Sequence, residues 1–373
     1  MVVKTADYIL SPLGAGTAEN YQAVKAGRSE LRRYEGLWKL PEPFVASLLD
    51  RGSVSVKGDY TFFEKMVIAS ATPAIAQAGI DPASPRVLFI LSTTKGNVHL
   101  LDKSFSAYRR DRVLPSTAAG VVARHFGNPN LPVTVSNACT SGVCALITAM
   151  RLLEQGVYDH AVVMGADMQS PFIISGFQSF KALSPEPCRP FDKDRCGLNL
   201  GEAAATIILT RRELAPEAGW TLVRGAIRND ANHISGPSRV GEGSFRALAA
   251  VLGDTPADDI AFINAHGTAT PYNDEMESIA ITRAGLQEVP VNSLKGYYGH
   301  TMGAAGVLES ILSMQAVDNH TVLPTRGFAA LGVTHPLKVT NQLATTNKRA
   351  FVKLLSGFGG CNAALLFRKE ERV

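Results

Sequence analysis

The chain contains two corners at which an apolar, strand-like run passes through small and polar residues into a helix-like run. The first corner is VTVSNACTSG, which contains Cys139, and the second is VNSLKGYYGHTMGAAG, which contains His300. Short apolar runs alternate with longer helical ones on both sides of the polar segment RRELAPEAG, which predicts α/β layers in two related halves, 1–212 and 213–373. Because α/β sheets bind ligands where strands end and helices begin, we expect a site at the joint between the halves.

Cys139 stands just before residues 143–153, which are almost all apolar. We expect this run to be a buried helix whose N-terminal amides face the crevice at the strand ends. A free thiol has a pKa of about 8.5, and the positive end of a helix lowers it toward about 7, so we expect a larger thiolate fraction. Amides aimed at a developing oxyanion contribute more, about 10²–10³ in rate. The alternative, a small packed hydrophobe, is the usual fate of a free cysteine and stays open here.

Two of the eight histidines lie in glycine- and hydroxyl-rich segments, His266 in INAHGTATPYND and His300 in KGYYGHTMGAAG. Either could be structural, but their similar surroundings favour a common site. Lys295 shortly precedes His300, and Glu309 interrupts the apolar run VLESILSM. Because removing one ion of a buried pair costs about 3–5 kcal/mol, we predict a Lys295–Glu309 pair. The pair either ties the turn to the helix or supports catalysis, and both roles can hold together.

The segment SGFGGCNAALLF places an aromatic residue, Phe358, among glycines between two apolar runs. A tight hairpin turn alone would explain the glycines. Phe358 is less easily explained by a turn, because an aromatic ring held between glycines can swing and its amide can point into a crevice.

Composition excludes several classes of protein. The net charge of +4 arises from 37 basic and 33 acidic residues without long basic runs, which argues against a nucleic-acid partner. No apolar run approaches the length of about 18 residues that spans a membrane, and MVVKTADYILSPLG lacks the apolar core of a signal peptide, so we expect a cytoplasmic protein. Five cysteines without a C-x-x-C pair predict free thiols rather than a disulfide framework or a zinc site.

Five motifs together resemble, in order and spacing, those of the elongating β-ketoacyl-acyl carrier protein synthases. They are ACTSGVCA, FDKDRCGLNLGEAA, NAHGTATPYND, KGYYGHTMGAAG and SGFGGCNAALLF. The resemblance covers nearly the whole chain and implies the thiolase fold, a five-layered αβαβα body made of two pseudo-repeated halves, usually as a dimer. It also implies a decarboxylative Claisen condensation of an acyl thioester with malonyl-acyl carrier protein, in fatty acid biosynthesis or in a specialised aryl polyene or polyketide-like pathway.

The resemblance implies roles for individual residues on the acyl side of the reaction. Cys139 matches the nucleophile that takes the acyl chain from a carrier thioester. The amides of Cys139 and Phe358 match the oxyanion hole, and the ring of Phe358 matches the gating aromatic. Thr268 and Thr270 match the hydroxyls that line the channel for phosphopantetheine, the arm on which the carrier holds its substrates.

On the malonyl side, His266 and His300 match the pair that stabilises the enolate formed when carbon dioxide leaves. Lys295 and Glu309 match the supporting pair. The resemblance implies that no metal or redox cofactor is required. The expected partners are an acyl carrier protein and either a second copy of the chain or a chain-length-factor-like homologue.

The sequence departs from the family pattern in its short length and at two cysteines. Cys361 stands where a small residue is usual, and Cys196 replaces an acidic residue. Five basic residues could steer an acidic carrier, although a solvated face explains each singly. They are Arg109, Arg110, Arg112, Lys181 and Lys193.

Three relatives of the same fold are disfavoured by the motifs. A degradative thiolase would carry a second active-site cysteine where this chain has Leu355 and Ser356, and an initiating synthase would carry asparagine in place of His300. The main alternative is a non-catalytic chain-length-factor-like subunit, which shapes the acyl tunnel of a heterodimer and typically lacks the nucleophile. The presence of Cys139 opposes this alternative.

Overall fold

The computed structural model describes residues 1–102 and 107–370 of the chain. The strands of its first half are β1 (Val2–Ser11), β2 (Gly14–Ala15), β3 (Arg32–Tyr34), β4 (Phe44–Ser47), β5 (Val87–Ser92), β6 (Val133–Val135), β7 (His160–Asp167), β8 (Leu200–Gly201) and β9 (Ala203–Arg211). Its helices are α1 (Thr17–Lys25), α2 (Phe62–Ala78), α3 (Pro115–His125), α4 (Ser141–Glu154) and α5 (Pro171–Ser179).

The second half repeats this alternation. Its strands are β10 (Trp220–Asn229), β11 (Ile260–Asn264), β12 (Pro290–Asn292), β13 (Thr321–Val322), β14 (Lys338–Val339), β15 (Ala344–Thr345), β16 (Ala350–Gly357) and β17 (Cys361–Lys369). Its helices are α6 (Glu242–Leu252), α7 (Pro271–Arg283), α8 (Lys295–Tyr298) and α9 (Ala305–Asp318).

The two halves have the same strand order, which confirms the predicted internal repeat. In the first half the sheet runs β6-β5-β7-β9-β1, and in the second it runs β12-β11-β16-β17-β10. If only these five strands of each half are numbered in chain order, both sheets run third, second, fourth, fifth, first. The sheets join where β1 pairs antiparallel with β10, from Val2 opposite Leu222 to Lys4 opposite Trp220.

Helices cover both sheets and also fill the space between them, which gives the five expected layers. On the outer side of the first sheet, α2 and α3 pack, and on the outer side of the second, α6 and α7 pack. Between the sheets lie α4 and α9, whose residues are buried on nearly every face. Such all-round burial explains why their sequences are apolar without a polar stripe.

The two central helices touch at their N-terminal ends, through Gly142 of α4 and Gly306 of α9. A Cβ atom added to Gly142 would lie 2.8 Å from the Gly306 Cα atom, closer than carbon atoms approach without displacement. Glycine is therefore required for this contact. The contact brings the turns that precede both helices to one place between the halves.

β9 ends at Arg211 and β10 begins at Trp220, so the predicted boundary at 212/213 lies in the connection between the two sheets. Within the described ranges, no helix has the length and apolar character needed to cross a membrane.

Candidate active site

Cys139 lies in the tight turn between β6 and α4. Ala138 adopts a left-handed conformation, with φ of 46°, which is costly for a residue other than glycine and is stabilised here by side-chain hydrogen bonds. The Ser141 hydroxyl donates to the Ala138 carbonyl at 2.6 Å, and the Thr140 hydroxyl donates to the Asn137 carbonyl at 2.7 Å. The turn therefore holds the cysteine in a fixed direction ahead of the helix.

Burial raises the pKa of the Cys139 thiol to about 11, although the charges of Lys295 and Lys95 and a hydrogen bond from the Phe358 backbone N–H all lower it. The expectation of a lowered pKa is therefore wrong. α4 begins only at Ser141, and its positive end does not offset the loss of hydration around the sulfur. The free enzyme carries a neutral thiol, so ionisation has to accompany attack on the substrate.

Phe358 follows the end of β16 and lines the same cleft as Cys139. A Cβ atom on Gly357 would be 3.1 Å from the Cys139 backbone nitrogen, which shows how closely this strand end approaches the turn. Phe358 is 37% exposed, and its ring packs against two aromatic rings of the cleft wall, with centroids 6.0 Å from Phe177 and 5.6 Å from Phe180. Phe358 thus lines the cleft together with Cys139, and its backbone N–H acts on the Cys139 sulfur.

His266 follows β11 in a turn that two buried carboxylates hold through its backbone. The Glu277 carboxylate accepts the N–H groups of His266 and Gly267, both at 2.7 Å. Asp274 accepts the Thr268 N–H at 3.0 Å. Burial raises the pKa of Glu277 to about 7 and that of Asp274 to about 6. These carboxylates orient the turn that presents the imidazole.

His300 follows α8, and its backbone is fixed by β-like hydrogen bonds to residues 199 and 201. Its Nδ1 atom accepts the Met302 backbone N–H at 3.2 Å. In a neutral ring the proton then resides on Nε2. This Nε2 atom is buried and has no hydrogen-bond partner among the described residues. It is an N–H donor free for a ligand.

The two imidazoles lie against each other, with centroids 5.0 Å apart and planes at 80°. Both are almost fully buried, His266 at 3% and His300 at 1% exposure. Burial first, and then the charge of Lys295, lower the pKa of both rings well below the usual value, so both are neutral near pH 7.

Lys295 and Glu309 form the predicted ion pair, with Lys295 Nζ 2.7 Å from Glu309 Oε1. A second buried lysine, which the sequence analysis missed, completes the group: Lys353 Nζ lies 2.6 Å from Glu309 Oε2. The two lysines lower the pKa of Glu309 despite its burial, so it stays ionised.

A cleft of about 910 Å³ leads from the surface to Cys139 and both histidines. Thr268 and Thr270 line it, and their hydroxyls are 2.9 Å apart. Phe358 lines the same cleft, whereas Lys295, paired with Glu309, lies close enough for its charge to act on both histidines without lining the cleft.

The Cys139, His266 and His300 donor atoms all lie within 4.8 Å of one another, a spacing that could hold a metal ion. The surroundings do not favour a divalent cation, because Lys295 and Lys353 are positively charged neighbours and one carboxylate, Glu309, compensates them. Binding would also require His300 Nε2 to lose its proton. The donor set suits a substrate oxyanion better than a metal.

The two cysteines that depart from the family pattern, Cys196 and Cys361, lie at different places relative to the cleft. Cys196 is exposed at the cleft, 3.2 Å from the Ser184 hydroxyl, and Cys361 donates to Asn137 Oδ1 at 2.9 Å, behind the nucleophile turn. All five cysteines are free, as predicted.

Of the five basic residues considered for steering, one lines the cleft, Lys181. Arg112 is a structural residue, since it pairs with the buried Glu64 at 2.6 Å. Arg109 and Lys193 pair with neighbouring aspartates, and Arg110 is exposed.

The sequence contains patterns that point to the three buried charged residues not predicted above, Asp274, Glu277 and Lys353. Asp274 and Glu277 follow the His266 turn with a spacing of three along α7, which places both carboxylates on one helix face. Lys353 is the one charge in the otherwise apolar strand AFVKLLSG. A charge in such a run needs a buried partner.

Comparison with known proteins agrees with this geometry. The family described as "Beta-ketoacyl synthase, N-terminal domain" matches residues 2–215, and "Beta-ketoacyl synthase, C-terminal domain" matches residues 221–329. A 3-oxoacyl-[acyl-carrier-protein] synthase 2 of Vibrio cholerae is 28% identical over 421 aligned positions, covering 99% of both chains. The tetracenomycin polyketide synthase ketoacyl synthase alpha subunit of Streptomyces glaucescens is also 28% identical, covering 99% of this chain and 97% of that one.

Among solved structures, a ketosynthase in complex with its chain length factor from Xenorhabdus doucetiae superposes with a TM-score of 0.90 at 26% identity, covering 99% of this chain and 98% of that one. The fold and the site together define a condensing enzyme with a thiolase-like fold, an acyltransferase by reaction type. The chain belongs to the β-ketoacyl synthase family, as its motifs indicated.

Proposed function

We propose that this chain carries out decarboxylative Claisen condensation on carrier-bound thioesters, with Cys139 as the nucleophile and His266 and His300 as the enolate-stabilising pair. One observation carries the proposal: the donor atoms of these three residues lie within 4.8 Å of one another at the bottom of the cleft. A binding protein would not need a thiol at the cleft beside two neutral imidazoles.

In the first step, the Cys139 sulfur attacks the carbonyl carbon of an acyl thioester. A new carbon–sulfur bond forms, the bond to the carrier thiol breaks, and the thiol proton of Cys139 passes to the leaving carrier thiolate. The oxygen of the tetrahedral intermediate lies toward the amides of Cys139 and Phe358, which stabilise its charge. Because the free thiol has a pKa of about 11, this stabilisation rather than prior ionisation drives the attack.

In the second step, a malonyl thioester loses carbon dioxide, and the electrons of the broken carbon–carbon bond move to the thioester oxygen as an enolate. The unpartnered Nε2–H of His300 and the cleft-lining ring of His266 stabilise that oxygen. The enolate carbon then attacks the acyl group on Cys139, the carbon–sulfur bond to Cys139 breaks, and the thiolate takes a proton from water. The product is a β-ketoacyl thioester two carbons longer.

No step requires an oxidant or a reductant from a cofactor, since the loss of carbon dioxide provides the carbanion. We therefore propose that neither a metal nor a redox cofactor takes part. The substrates arrive on the phosphopantetheine arm of an acyl carrier protein. The hydroxyl and amide groups of this arm can hydrogen-bond to Thr268 and Thr270, which line the cleft.

We further propose that the chain works as a dimer, with a second copy or with a chain-length-factor-like homologue. β6 forms one end of the large sheet, and among the described residues no strand pairs with its outer edge. Leu131, just before it, is 91% exposed. An open edge of this kind favours pairing with another chain. The heterodimeric alternative is supported by the solved ketosynthase–chain length factor complex, and the five free thiols suit a reducing cytoplasm.

The proposed reaction is tested by its products. The protein is incubated with an acyl and a malonyl thioester of pantetheine, alone and after co-expression with chain-length-factor-like homologues. Mass spectrometry should find a β-ketoacyl thioester, with one carbon dioxide released for each product formed. Cys139→Ala should give no such product. Equal product from the wild type and the variant would contradict the proposal.

A further inference from the structure

Lys353 lies in the middle of β16, and its side chain is completely buried. Its ammonium group has four acceptors. It binds Glu309 Oε2 at 2.6 Å, and it lies 3.3 Å from the Asn264 carbonyl, 3.4 Å from the Ala265 carbonyl and 3.2 Å from the Leu354 carbonyl. An ammonium has three protons, so these acceptors satisfy it fully.

Two of these carbonyls belong to the residues immediately before His266. Lys353 therefore holds the end of β11 from one side, while Glu277 holds the His266 and Gly267 amides from the other. The direction of the imidazole follows from both constraints. Neither constraint touches the imidazole itself.

The contact with Glu309 extends this role to the neighbouring elements. Glu309 uses one oxygen for Lys295 and the other for Lys353, so the carboxylate is fixed at both ends. Without Lys353, one buried oxygen of Glu309 would lose its partner, and the place of Lys295 beneath the histidines would no longer be determined.

We propose that Lys353 is a positioning residue of the decarboxylation step, which holds the His266 strand end and the Lys295–Glu309 pair in register beneath the two imidazoles. This inference rests on the proposed function and assigns to that site a second buried cation, which acts through its neighbours and does not touch the substrate.

The position of Lys353 also predicts an effect on acidity. Burial lowers the pKa of Lys353 to about 8, so the side chain is charged in the acid range, and this charge contributes to lowering the pKa of both His266 and His300. A proton added to His300 would go to Nδ1, where it would oppose the Met302 N–H that now donates to that atom. Acid should therefore inactivate the site, and loss of the Lys353 charge should make this happen at higher pH.

Other charged and titratable groups lie near the two rings, and the Lys353 variants retain all of them in sequence. They are Cys139 in the turn before α4, Asp167 at the end of β7, Glu277 on α7, Lys295 on α8 and Glu309 on α9. Because these groups are common to the wild type and the variants, a shift between them reports on Lys353.

The experiment measures two half-reactions separately across pH 4.5–8, namely loading of an acyl-pantetheine onto Cys139 and release of carbon dioxide from malonyl-pantetheine. Lys353→Met removes both charge and hydrogen bonds, and Lys353→Gln removes the charge but keeps an amide donor. We expect decarboxylation to fall about tenfold or more in Lys353→Met, with loading within about twofold of the wild type. The acid limb of decarboxylation should move up by about half a pH unit or more in both variants.

Arg224→Met is the matched control. Arg224 also donates to backbone carbonyl groups from a strand, to Val251 O at 2.8 Å, but it lies among residues of β10 and α6 rather than at the site. The Arg224→Met variant should have lower thermal stability, but the acid limb of its decarboxylation rate should not move. If folded Lys353→Gln showed an unshifted acid limb of decarboxylation and an unchanged ratio of decarboxylation rate to loading rate, the inference about Lys353 would be overturned, while the proposed function would stand. A wild type that neither loads nor decarboxylates would overturn the proposed function and this inference together.

Discussion

The backbone N–H of Phe358 lies close enough to the sulfur of Cys139 to lower the pKa of that thiol, although the two residues come from different halves of the chain. The contact depends on Gly357, which lets the end of β16 approach the nucleophile turn. It places the thiol beside the amide that we propose as an oxyanion donor before any substrate binds.

The alkylation rate of Cys139 should keep rising with pH beyond pH 9, because burial raises its thiol pKa to about 11. The measurement follows iodoacetamide adduct formation by peptide mass spectrometry, which separates Cys139 from the exposed Cys196. The Cys139→Ala variant identifies the peptide. A rate that reaches a plateau near pH 7 would show that the thiol is ionised in the free enzyme, against the effect of burial.

His266→Ala and His300→Ala should each lower malonyl decarboxylation by about 10²-fold or more, since each removes a donor to the enolate oxygen. Acyl loading should change much less, because in the proposed mechanism the amides of Cys139 and Phe358, and not the histidines, stabilise the thioester oxygen. Rapid-quench assays of the two half-reactions test this division. His335→Ala, on the surface, is the control, and equal defects in both half-reactions would disprove the assignment.

Glu277→Gln should make stability less dependent on pH. The folded-state pKa of Glu277 is about 7, above the ordinary 4.5, so the stability that this group contributes is present at low pH and is lost as pH rises through 7. Urea unfolding at pH 5 and pH 8 should therefore show a smaller fall in the free energy of unfolding for the variant. The exposed Glu288→Gln should behave as wild type, and an unchanged fall in Glu277→Gln would contradict the buried titration.

Two glycine-to-alanine changes should act in opposite directions. Gly142→Ala places a Cβ atom 2.8 Å from the backbone of Gly306, so α4 and α9 must separate, at a cost of about 1–3 kcal/mol. Gly176 lies in α5 with no atom within 4 Å of an added Cβ, and Gly176→Ala should stabilise by about 0.5–1 kcal/mol. Chemical denaturation measures both, and a stability gain in Gly142→Ala would contradict the packing of the central helices.

Much of the fold could be predicted, because the two halves share an order of elements and because a strand-to-helix corner has a clear sequence pattern. The corner at Cys139, the buried helix α4 and the Lys295–Glu309 pair all follow from local patterns. The pKa of Cys139 could not be predicted, because it depends on how completely the second half covers the sulfur. A helix end acts over one turn, while burial depends on the whole fold.

The residues that the sequence analysis missed depend on contacts between distant segments. Lys353 reaches Glu309 and the end of β11 only because β16 lies beside β11 in the sheet. Asp274 and Glu277 were visible as acidic residues on a helix, which usually face solvent. Only the fold shows that both point inward to the backbone of the His266 turn.

The central claim, that Cys139 carries the acyl chain, is tested most directly by intact-protein mass spectrometry. The protein is incubated with a panel of acyl-carrier thioesters, and malonyl-carrier protein is then added, with Cys139→Ala as the control and co-expressed partners where the chain alone is silent. The account predicts an acyl mass increase on the wild type alone, which malonyl-carrier protein then removes. Acylation of Cys139→Ala at the wild-type level, or an acyl mass that malonyl-carrier protein leaves in place, would contradict it.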